Sequence, residues 1–470
     1  MAFNSFSFIL LLLCSLGLYF STRRLLLRQL LLVAVSLGFY AAWDYRFVAL
    51  LAYVICVAFV GGQAVNRSRT KKKLFLGLAI GLQLAQLVFF KYTNFLFDLV
   101  ADVAGWVGAN HAHRHLDILL PAGISFYTFH GISYVVDVYR KKIERAENLI
   151  VVALYIAFFP QLVAGPIVRA DVFIPQSKRV LDIDSRDFIV GLKFITLGLI
   201  YKCVFADRLA PLVDTVFDAP AHYENGVLAR AALGFYAQIY FDFAGYSTMA
   251  IGISRLFGFK LPRNFNYPYR ALDITDFWKR WHISLSSWLR DYLYIPLGGN
   301  RAGKLKQYRN LMLTMLLGGL WHGASINFVV WGALHGAALC VHKLWSERWP
   351  STRGTRPVQI ARSVLGWFLT QAFVLVAWIP FRASSFAATQ QFAMALLGTR
   401  TVENAKQLHI PLLLLLLPIV ADQVLVQNPN LPAFPWPKRP WLLVTVLALC
   451  FALALPFVVL KTKAFIYFQF

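Results

Sequence analysis

The chain of 470 residues is 59% hydrophobic and only 14% charged, and its mean hydropathy is +0.59. Soluble domains are about half apolar and about a quarter charged, so this composition excludes an ordinary soluble protein and indicates an all-α polytopic membrane protein. Lysine and arginine outnumber aspartate and glutamate by 46 to 22. Because the basic clusters stand between apolar segments, we interpret them as cytoplasmic loops that face anionic lipid, and we expect no nucleic-acid partner.

The apolar segments predict about eleven membrane-spanning helices of roughly 20 residues each. They are 5–20, 29–43, 46–65, 74–97, 118–138, 188–206, 227–253, 325–342, 363–381, 409–427 and 440–460. The first has no basic residues before it and no A-x-A-like site after it, so we expect a retained span and not a signal peptide. Basic short loops, such as the one holding Arg23, Arg24 and Arg28, are predicted inside, and the amino terminus outside.

Two segments in the first half depart from simple spans. Residues 149–169 contain Pro160, Gly165 and Pro166, which predicts a re-entrant segment, with a proline-kinked span as the alternative. Asp242 lies inside an apolar run, where an acidic residue costs about 2.5–3.5 kcal/mol near the bilayer centre. It is therefore either a functional residue or the partner of a lysine or arginine.

The stretch 255–309 is strongly basic and is predicted to be cytoplasmic. Within it, residues 273–293 have apolar side chains at helical spacing, including Trp278, Trp281 and Trp288, which predicts one amphipathic helix at the membrane interface. At about 100° per residue, His282 falls on the edge of that apolar stripe.

A second histidine stands in an apolar run after this loop. His322 lies between Gly318-Gly319 and Gly323, which predicts a bend that another group can approach closely. The span that follows carries a GxxxG pattern at Gly332 and Gly336, which favours close helix packing. Trp331, His335 and His342 share one face of this span.

Motifs of soluble enzymes and metal sites are absent from the sequence. The five cysteines contain no CxxC pair, and HAHRH (111–115) is better explained as a polar outer loop than as a metal site. We therefore predict no metal and no bound cofactor. His282, His322 and His335 remain, since a neutral imidazole with a pKa near 6.5 can accept or give a proton. The alternative for each is a hydrogen-bond partner between helices.

Three long strings resemble the membrane-bound O-acyltransferase (MBOAT) family, and more closely its bacterial branch that acetylates alginate or cellulose. They are QIYFDFAGYSTMAIG (238–252), NFNYPYRALDITDFWKRWHISLSSWLRDYLYIPLGGNR (264–301) and MLLGGLWHGASINFVVWGALHG (315–336). The resemblance implies a ring of about 11 tilted transmembrane helices, with re-entrant and interfacial helices around a central funnel. It implies one domain over 1–470, with N-terminal helices 1–110, a catalytic core 118–345 and C-terminal helices 363–470.

The resemblance also implies roles for particular residues. His322 in WHG matches the family's catalytic histidine, and His282 in RWHIS matches its second functional position. We expect the substrates to be bound by a further set of residues. This set is Asp242, Trp278, Arg280, Trp281, Arg290, Trp321 and His335.

The expected reaction moves acetyl groups from cytoplasmic acetyl-CoA across the bacterial inner membrane for O-acetylation of an exported polysaccharide. The resemblance implies a separate periplasmic acetyltransferase as partner, because this chain carries no soluble Ser-His-Asp domain. The amino terminus is expected to be periplasmic. The alternative from another class is a transporter or scaffold subunit without its own chemistry, which Asp242 and the broken helices would fit about equally well.

Overall fold

The computed structural model describes residues 3–106, 115–301, 303–349 and 355–399, with scattered residues between 406 and 452. Within these residues the regular structure is helical, apart from one isolated bridge between Tyr223 and Lys406. The chain divides into two compact units, Met1–Leu192 with Ala250–Pro262, and Lys193–Met249 with Arg263–Phe470. The single domain over 1–470 stays a prediction.

The first unit is built from ten helices or parts of helices among the described residues. They are α1 (Phe6–Ser21), α2 (Leu25–Ala41), α3 (Val48–Arg67), α4 (Lys72–Trp106), α5 (Ile124–Tyr139), α6 (Leu149–Ala157), α7 (Phe159–Leu162), α8 (Ala170–Ser177), the first half of α9 (Ser185–Leu199) and the end of α11 (Asn225–Leu256) from Ala250 onward. Helix α3 packs against α4, α5 and α6. Almost every residue of α5 and α6 is buried, so these two helices form the core of the unit.

The predicted break in 149–169 is confirmed. Helix α6 ends at Ala157, Phe158 leaves the helical region with φ −50° and ψ 110°, and α7 adds only four residues. Asn148 begins α6 by accepting a hydrogen bond from the backbone N–H of Val151. A single proline-kinked span is therefore wrong, and the depth of the segment in the membrane stays a prediction.

The second unit starts within α9, which continues through a π-helical turn. Its elements are the π-helix Ile200–Ala206, α10 (Asp207–Phe217), α11 (Asn225–Leu256) as far as Met249, α12 (Ile274–Arg280), α13 (Ile283–Leu289), the π-helix Arg290–Tyr294, α14 (Lys304–His322), α15 (Ile326–Arg348), α16 (Arg356–Arg382) and α17 (Phe386–Leu396). Helices α14 and α15 pack along each other, and α15 also packs against α12 and α16.

Glycines set the distance between α14 and α15. A Cβ atom at Gly319 would lie 2.2 Å from the carbonyl oxygen of Phe328, and one at Gly332 would lie 2.5 Å from the carbonyl oxygen of Met315. Side chains do not fit at either position, so the backbones approach as the GxxxG pattern predicts. This close packing is confirmed, and it fixes the last turn of α14 against the first turns of α15.

Five helices among the described residues are long and apolar enough to cross a membrane. They are Tyr45–Arg67, Lys72–Gly105, Ser185–Phe217, Ile326–Arg348 and Arg356–Arg382. The apolar helices α1 and α2 are shorter. The predicted span 227–253 lies within the long α11, which is not among the five, and the predicted spans 409–427 and 440–460 lie largely outside the described residues. The count of about eleven therefore stays a prediction.

Several predicted boundaries are wrong because polar residues extend helices that the hydropathy pattern ends. Helix α4 continues through Asp98 and Asp102 to Trp106, and the predicted loop 207–226 begins with α10. Arg28 lies in α2, where it is buried and donates a hydrogen bond to the carbonyl oxygen of Leu181 at 2.7 Å. In contrast, the predicted span 118–138 starts later, since its helix begins at Ile124. His111 and His113 lie outside the described residues.

Candidate active site

The end of α14 presents His322 at a change of backbone direction. The helix stops at His322, and Gly323 is extended with φ −164° and ψ 157°. A Cβ atom at position 323 would lie 2.0 Å from the ring of Phe328, so only glycine fits there without moving that ring. The predicted bend is confirmed, and it leaves the His322 side chain 5% exposed.

Aromatic rings surround the His322 imidazole. The ring centroids of Trp321 and Trp331 lie 4.9 Å from it, and that of Phe381 lies 5.0 Å away. All three meet the imidazole nearly edge to face. Such walls lower the local dielectric constant, so a charge that develops beside His322 interacts more strongly with it than in water.

The backbone breaks at His282, and the predicted continuous helix over 273–293 is wrong. Helix α12 ends at Arg280, His282 adopts the left-handed conformation with φ 42° and ψ 54°, and α13 starts at Ile283. A non-glycine residue in this conformation is uncommon, and such strain concentrates at functional sites. His282 is fully buried, which agrees with a position that does not face open water.

Asn264 holds the ring of His282. Its side-chain Oδ1 lies 3.0 Å from Nδ1 of His282, and it accepts further hydrogen bonds from the backbone N–H and the hydroxyl of Ser284 at 3.3 Å and 2.9 Å. Because the backbone N–H can only donate, Oδ1 is the acceptor and Nδ1 of His282 carries the proton. The lone pair of the neutral ring is then on Nε2.

His282 lies outside the five apolar spans, and burial lowers its pKa to about 3. The imidazole is therefore neutral at cellular pH. Phe243 packs edge to face on it with centroids 4.5 Å apart, and Trp321 lies 6.1 Å away. Trp321 thus contacts both His282 and His322.

His335 continues this arrangement along α15. Its ring lies 4.6 Å from Trp331 and 5.1 Å from that of Trp278, between centroids. The rings form a connected group, which we call the histidine–tryptophan cluster. Its members are His282, Trp321, His322, Trp331, His335 and Trp278, and Trp278 contacts Trp331 as well as His335.

Three other predicted substrate-binding residues lie beside the cluster or at the surface. Trp281 is buried and packs on Phe277 and Trp378, with centroids 5.6 Å and 4.9 Å away. Arg280 is paired with Asp276 in the same helix at 2.9 Å. Arg290 is paired with the neighbouring Asp291 at 2.7 Å, and 63% of its side chain is exposed.

Asp242 belongs to a different buried group. Its carboxylate lies 2.5 Å from Nζ of Lys202, which also contacts the carboxylate of Asp207 at 2.9 Å. All three are buried, and we call them the lysine–carboxylate cluster. Lys202 stands in the π-helical turn of Ile200–Ala206. The pairing of Asp242 with a lysine, one of the two alternatives, is confirmed.

Sequence reasoning missed Asn264, Lys202 and Phe381. Asn264 is in a loop 18 residues before its partner, and Phe381 is on another helix from His322. Nothing in the local pattern marks such contacts. Lys202 carried a usable signal, since a lysine inside the apolar segment 188–206 needs a buried counter-charge. No group of three potential metal ligands occurs among the described residues.

Comparison with known proteins decides the family. Residues 145–379 match the MBOAT, membrane-bound O-acyltransferase, family, a stretch that contains every residue of the histidine–tryptophan cluster. The chain belongs to the membrane-bound O-acyltransferase family. It is therefore a multi-pass membrane protein and an O-acyltransferase, which favours the enzyme over the transporter alternative.

Relatives of this MBOAT protein cover most of its length. It is 40% identical to a probable alginate O-acetylase of Azotobacter vinelandii over 90% of this chain and 84% of that protein. It is 38% identical to a peptidoglycan O-acetyltransferase of Helicobacter pylori over 80% of this chain and 74% of that protein. A teichoic acid D-alanyltransferase of Bacillus subtilis is 28% identical over 60% of this chain and 74% of that protein.

Proposed function

We propose that this MBOAT enzyme takes acetyl groups from acetyl-CoA at the cytoplasmic face of the bacterial inner membrane and passes them outward for O-acetylation of an exported polysaccharide, alginate or cellulose. The identities support acetyl as the acyl group, since they are 40% and 38% for the two acetyl-transferring relatives and 28% for the D-alanyltransferase. The observation that carries the proposal is the contact of Trp321 with both His282 and His322 at the end of α14.

We infer the side of the membrane from which acetyl-CoA enters from the distribution of basic residues. Coenzyme A carries phosphates, and arginine and lysine bind phosphate through charge-assisted hydrogen bonds. The stretch 255–309 is rich in both residues, and Arg290 holds most of its side chain in solvent. Basic loops of membrane proteins face the cytoplasm. We assign the phosphate-binding role to Arg290 and Arg280, and the cytoplasm as the side from which the donor enters.

His322 acts as the base. In the transfer, the acceptor hydroxyl gives its proton to the His322 imidazole while its oxygen bonds to the acyl carbon. The C–S bond breaks, and the sulfur leaves with the electron pair. The edges of Trp321, Trp331 and Phe381 keep bulk water from the imidazole, which protects the thioester from hydrolysis.

His282 positions the donor. Its Nδ1–H is committed to Asn264, so Nε2 carries the lone pair that can act on the thioester or accept a shared proton. We include Trp278, Trp281, Trp321 and His335 as the aromatic lining of the substrate path. The role of Asp242 in this proposal is to hold the fold through Lys202.

We also propose the helix arrangement, the topology and the partner protein that the family resemblance implies. A ring of about 11 tilted helices within a single domain surrounds a central funnel, and the amino terminus is periplasmic. A separate periplasmic acetyltransferase completes the acetylation of the polymer.

The test expresses His322→Ala and His282→Ala in cells that make the polymer, confirms membrane levels, and measures ester-linked acetyl on exported alginate and on cellulose. We expect His322→Ala to abolish acetylation and His282→Ala to reduce it strongly. The exposed His222 gives the matched control, and His222→Ala should acetylate normally. Normal acetylation in His322→Ala would reject the role of His322.

A further inference from the structure

His335 is buried without a hydrogen-bond partner. Its side chain has no exposed surface, and neither Nδ1 nor Nε2 bonds to any residue that the structure describes. The rings that contact it come from α12, α15 and α16 and carry no charge; they are Phe277, Trp278, Trp331, Phe373 and Trp378. Buried polar groups are as a rule satisfied by protein, water or ligand.

Two indole groups beside His335 share this property. Nε1 of Trp331 and Nε1 of Trp278 are buried and have no acceptor within the described part of the chain. Trp331 contacts both His322 and His335, and Trp278 contacts both His335 and Trp331, with centroids 5.1 Å and 5.7 Å away. The two indole N–H groups therefore stand beside the His335 ring, where α12 packs on α15. The rings are in direct contact, so the partners that fit at their polar edges are single water molecules.

The face of α15 that carries Trp331 and His335 reaches the surface at His342. Nδ1 of His342 lies 2.8 Å from the hydroxyl of Thr275, one helical turn before Trp278 on α12. Its Nε2 lies 3.7 Å from the carboxylate of Asp273, and the two side chains are 27% and 37% exposed. His342 therefore brings a polar group in contact with solvent to the face of α15 that carries Trp331 and His335, at the end of the helix where Lys343 and Arg348 stand.

The reaction needs such a path. The acceptor hydroxyl loses one proton to His322, and the departing thiolate gains one, so no proton is consumed overall. His322 is 5% exposed and enclosed by aromatic rings, and it cannot give its proton directly to bulk water. In the proposed function donor and acceptor reach His322 from opposite sides, so a proton path toward the donor side lets the departing thiolate be protonated away from the acceptor.

We propose that His335 is a proton-relay residue, which carries the acceptor's proton from His322 along the Trp331–His335–His342 face of α15 to the side where the thiol departs. The bridging water molecules are held by the indole N–H groups of Trp331 and Trp278. This proposal rests on the proposed function, because it takes a thioester donor and a hydroxyl acceptor as given.

The experiment measures kcat and KM for acetyl-CoA with the full-length purified enzyme in liposomes, with an alginate oligosaccharide as the hydroxyl acceptor, in H2O and in D2O. His335→Phe suits the aromatic surroundings but cannot carry a proton, and His335→Gln keeps a polar side chain without being able to titrate. We expect both to lower kcat about 100-fold, to leave KM within about twofold, and to increase the solvent isotope effect.

A second buried histidine provides the matched control, since His130 also lacks partners for both nitrogens among the described residues. His130→Phe should keep the wild-type kcat.

The relay is overturned if either His335 variant keeps the wild-type kcat, if kcat falls without a larger isotope effect, or if His130→Phe loses as much as His335→Phe. Failure of the proposed function is distinguishable, because the wild-type enzyme would then release no free coenzyme A. That result overturns both proposals, whereas an active wild type with an active His335→Phe overturns the relay alone.

Discussion

Two groups of buried polar side chains in the second unit are stabilised in opposite ways. In the lysine–carboxylate cluster, Lys202 supplies the counter-charge for Asp207 and Asp242 at 2.9 Å and 2.5 Å. In the histidine–tryptophan cluster, His335 and the indole N–H groups of Trp278 and Trp331 bond to no described residue. The first cluster is compensated by charge within the protein, whereas no described residue compensates these polar groups of the second.

This difference separates a structural role from a chemical one. A buried charge that meets its counter-charge holds helices together, and its loss affects folding first. A buried polar group that the protein does not satisfy costs stability and is kept where a substrate or water binds it. The comparison predicts that substitutions in the lysine–carboxylate cluster change stability. Substitutions in the histidine–tryptophan cluster should change turnover.

The largest effect on stability is expected from Lys202→Met. Removal of the lysine leaves two buried carboxylates without a counter-charge, and breaking such a group costs about 3–5 kcal/mol. Denaturant unfolding in detergent, followed by the fluorescence of the tryptophans, measures the loss. The triple variant Lys202→Met, Asp207→Asn, Asp242→Asn removes all the charges together and should recover most of it. A triple variant as unstable as the single one would contradict the assignment of a charge-compensating role.

Asn264→Ala should affect turnover more than folding. Without Oδ1 of Asn264, Nδ1 of His282 loses its acceptor at 3.0 Å, and the ring is free to turn. Misplacement of a catalytic group by about 1 Å costs about 100-fold in rate, so we expect kcat to fall by about that factor. Asn264→Asp keeps an acceptor and should restore much of the rate. Equal rates for Asn264→Ala and wild type would show that the orientation of His282 is unimportant.

The packing of α14 on α15 can be tested with two neighbouring glycines. Gly319→Ala places a methyl group 2.2 Å from the backbone oxygen of Phe328, whereas Gly318→Ala meets only the side chain of Leu289 at 3.2 Å. Overpacking costs about 1–3 kcal/mol, so Gly319→Ala should be the less stable variant and should also lower turnover by moving His322 relative to Trp331. Thermal unfolding and kcat of the pair measure this. A less stable Gly318→Ala would contradict the described helix contact.

Arg290→Ala should have the smallest effect on stability. Its exposed pair with Asp291 contributes at most about 1 kcal/mol, but loss of the phosphate contact should raise KM for acetyl-CoA and leave kcat unchanged. Arg46 is also exposed and paired with a nearby aspartate, Asp44 at 2.6 Å, and it provides the matched control. If Arg46→Ala raised KM as much, the effect would reflect general charge and not a donor site.

The sequence predicts local features of the fold, such as bends, better than it predicts contacts between residues that are far apart along the chain. The bend at His322 and the close contact between α14 and α15 depend on Gly323 and Gly332. Both glycines belong to short local patterns, WHG and GxxxG, that can be read directly from the sequence. The break at His282 could not be predicted, because the apolar pattern of 273–293 continues through it. It is held by backbone hydrogen bonds from a distant loop, in which Ile283 donates to Asn264 and Asn266 donates to Arg280.

The same limit applies to the candidate site. The sequence indicates His322, His282 and His335 as candidates because a neutral imidazole can accept or give a proton, and the structure connects all three through Trp321 and Trp331. The roles of these residues stay predictions. Asp242 was singled out for the same reason, but its partner Lys202 lies 40 residues away in the sequence. Only the folded chain distinguishes the compensated charge from the uncompensated imidazole.

The central claim is that His322 performs acyl transfer from acetyl-CoA, and one measurement tests it most directly. Purified enzyme in liposomes is given acetyl-CoA with a radioactive acetyl group and an alginate oligosaccharide as the hydroxyl acceptor, and the release of free coenzyme A is followed together with the label for wild type and for His322→Ala. We predict that the wild type releases coenzyme A and that His322→Ala releases it at least about 100-fold more slowly, with an unchanged unfolding temperature. Equal release by the two folded proteins would contradict the account.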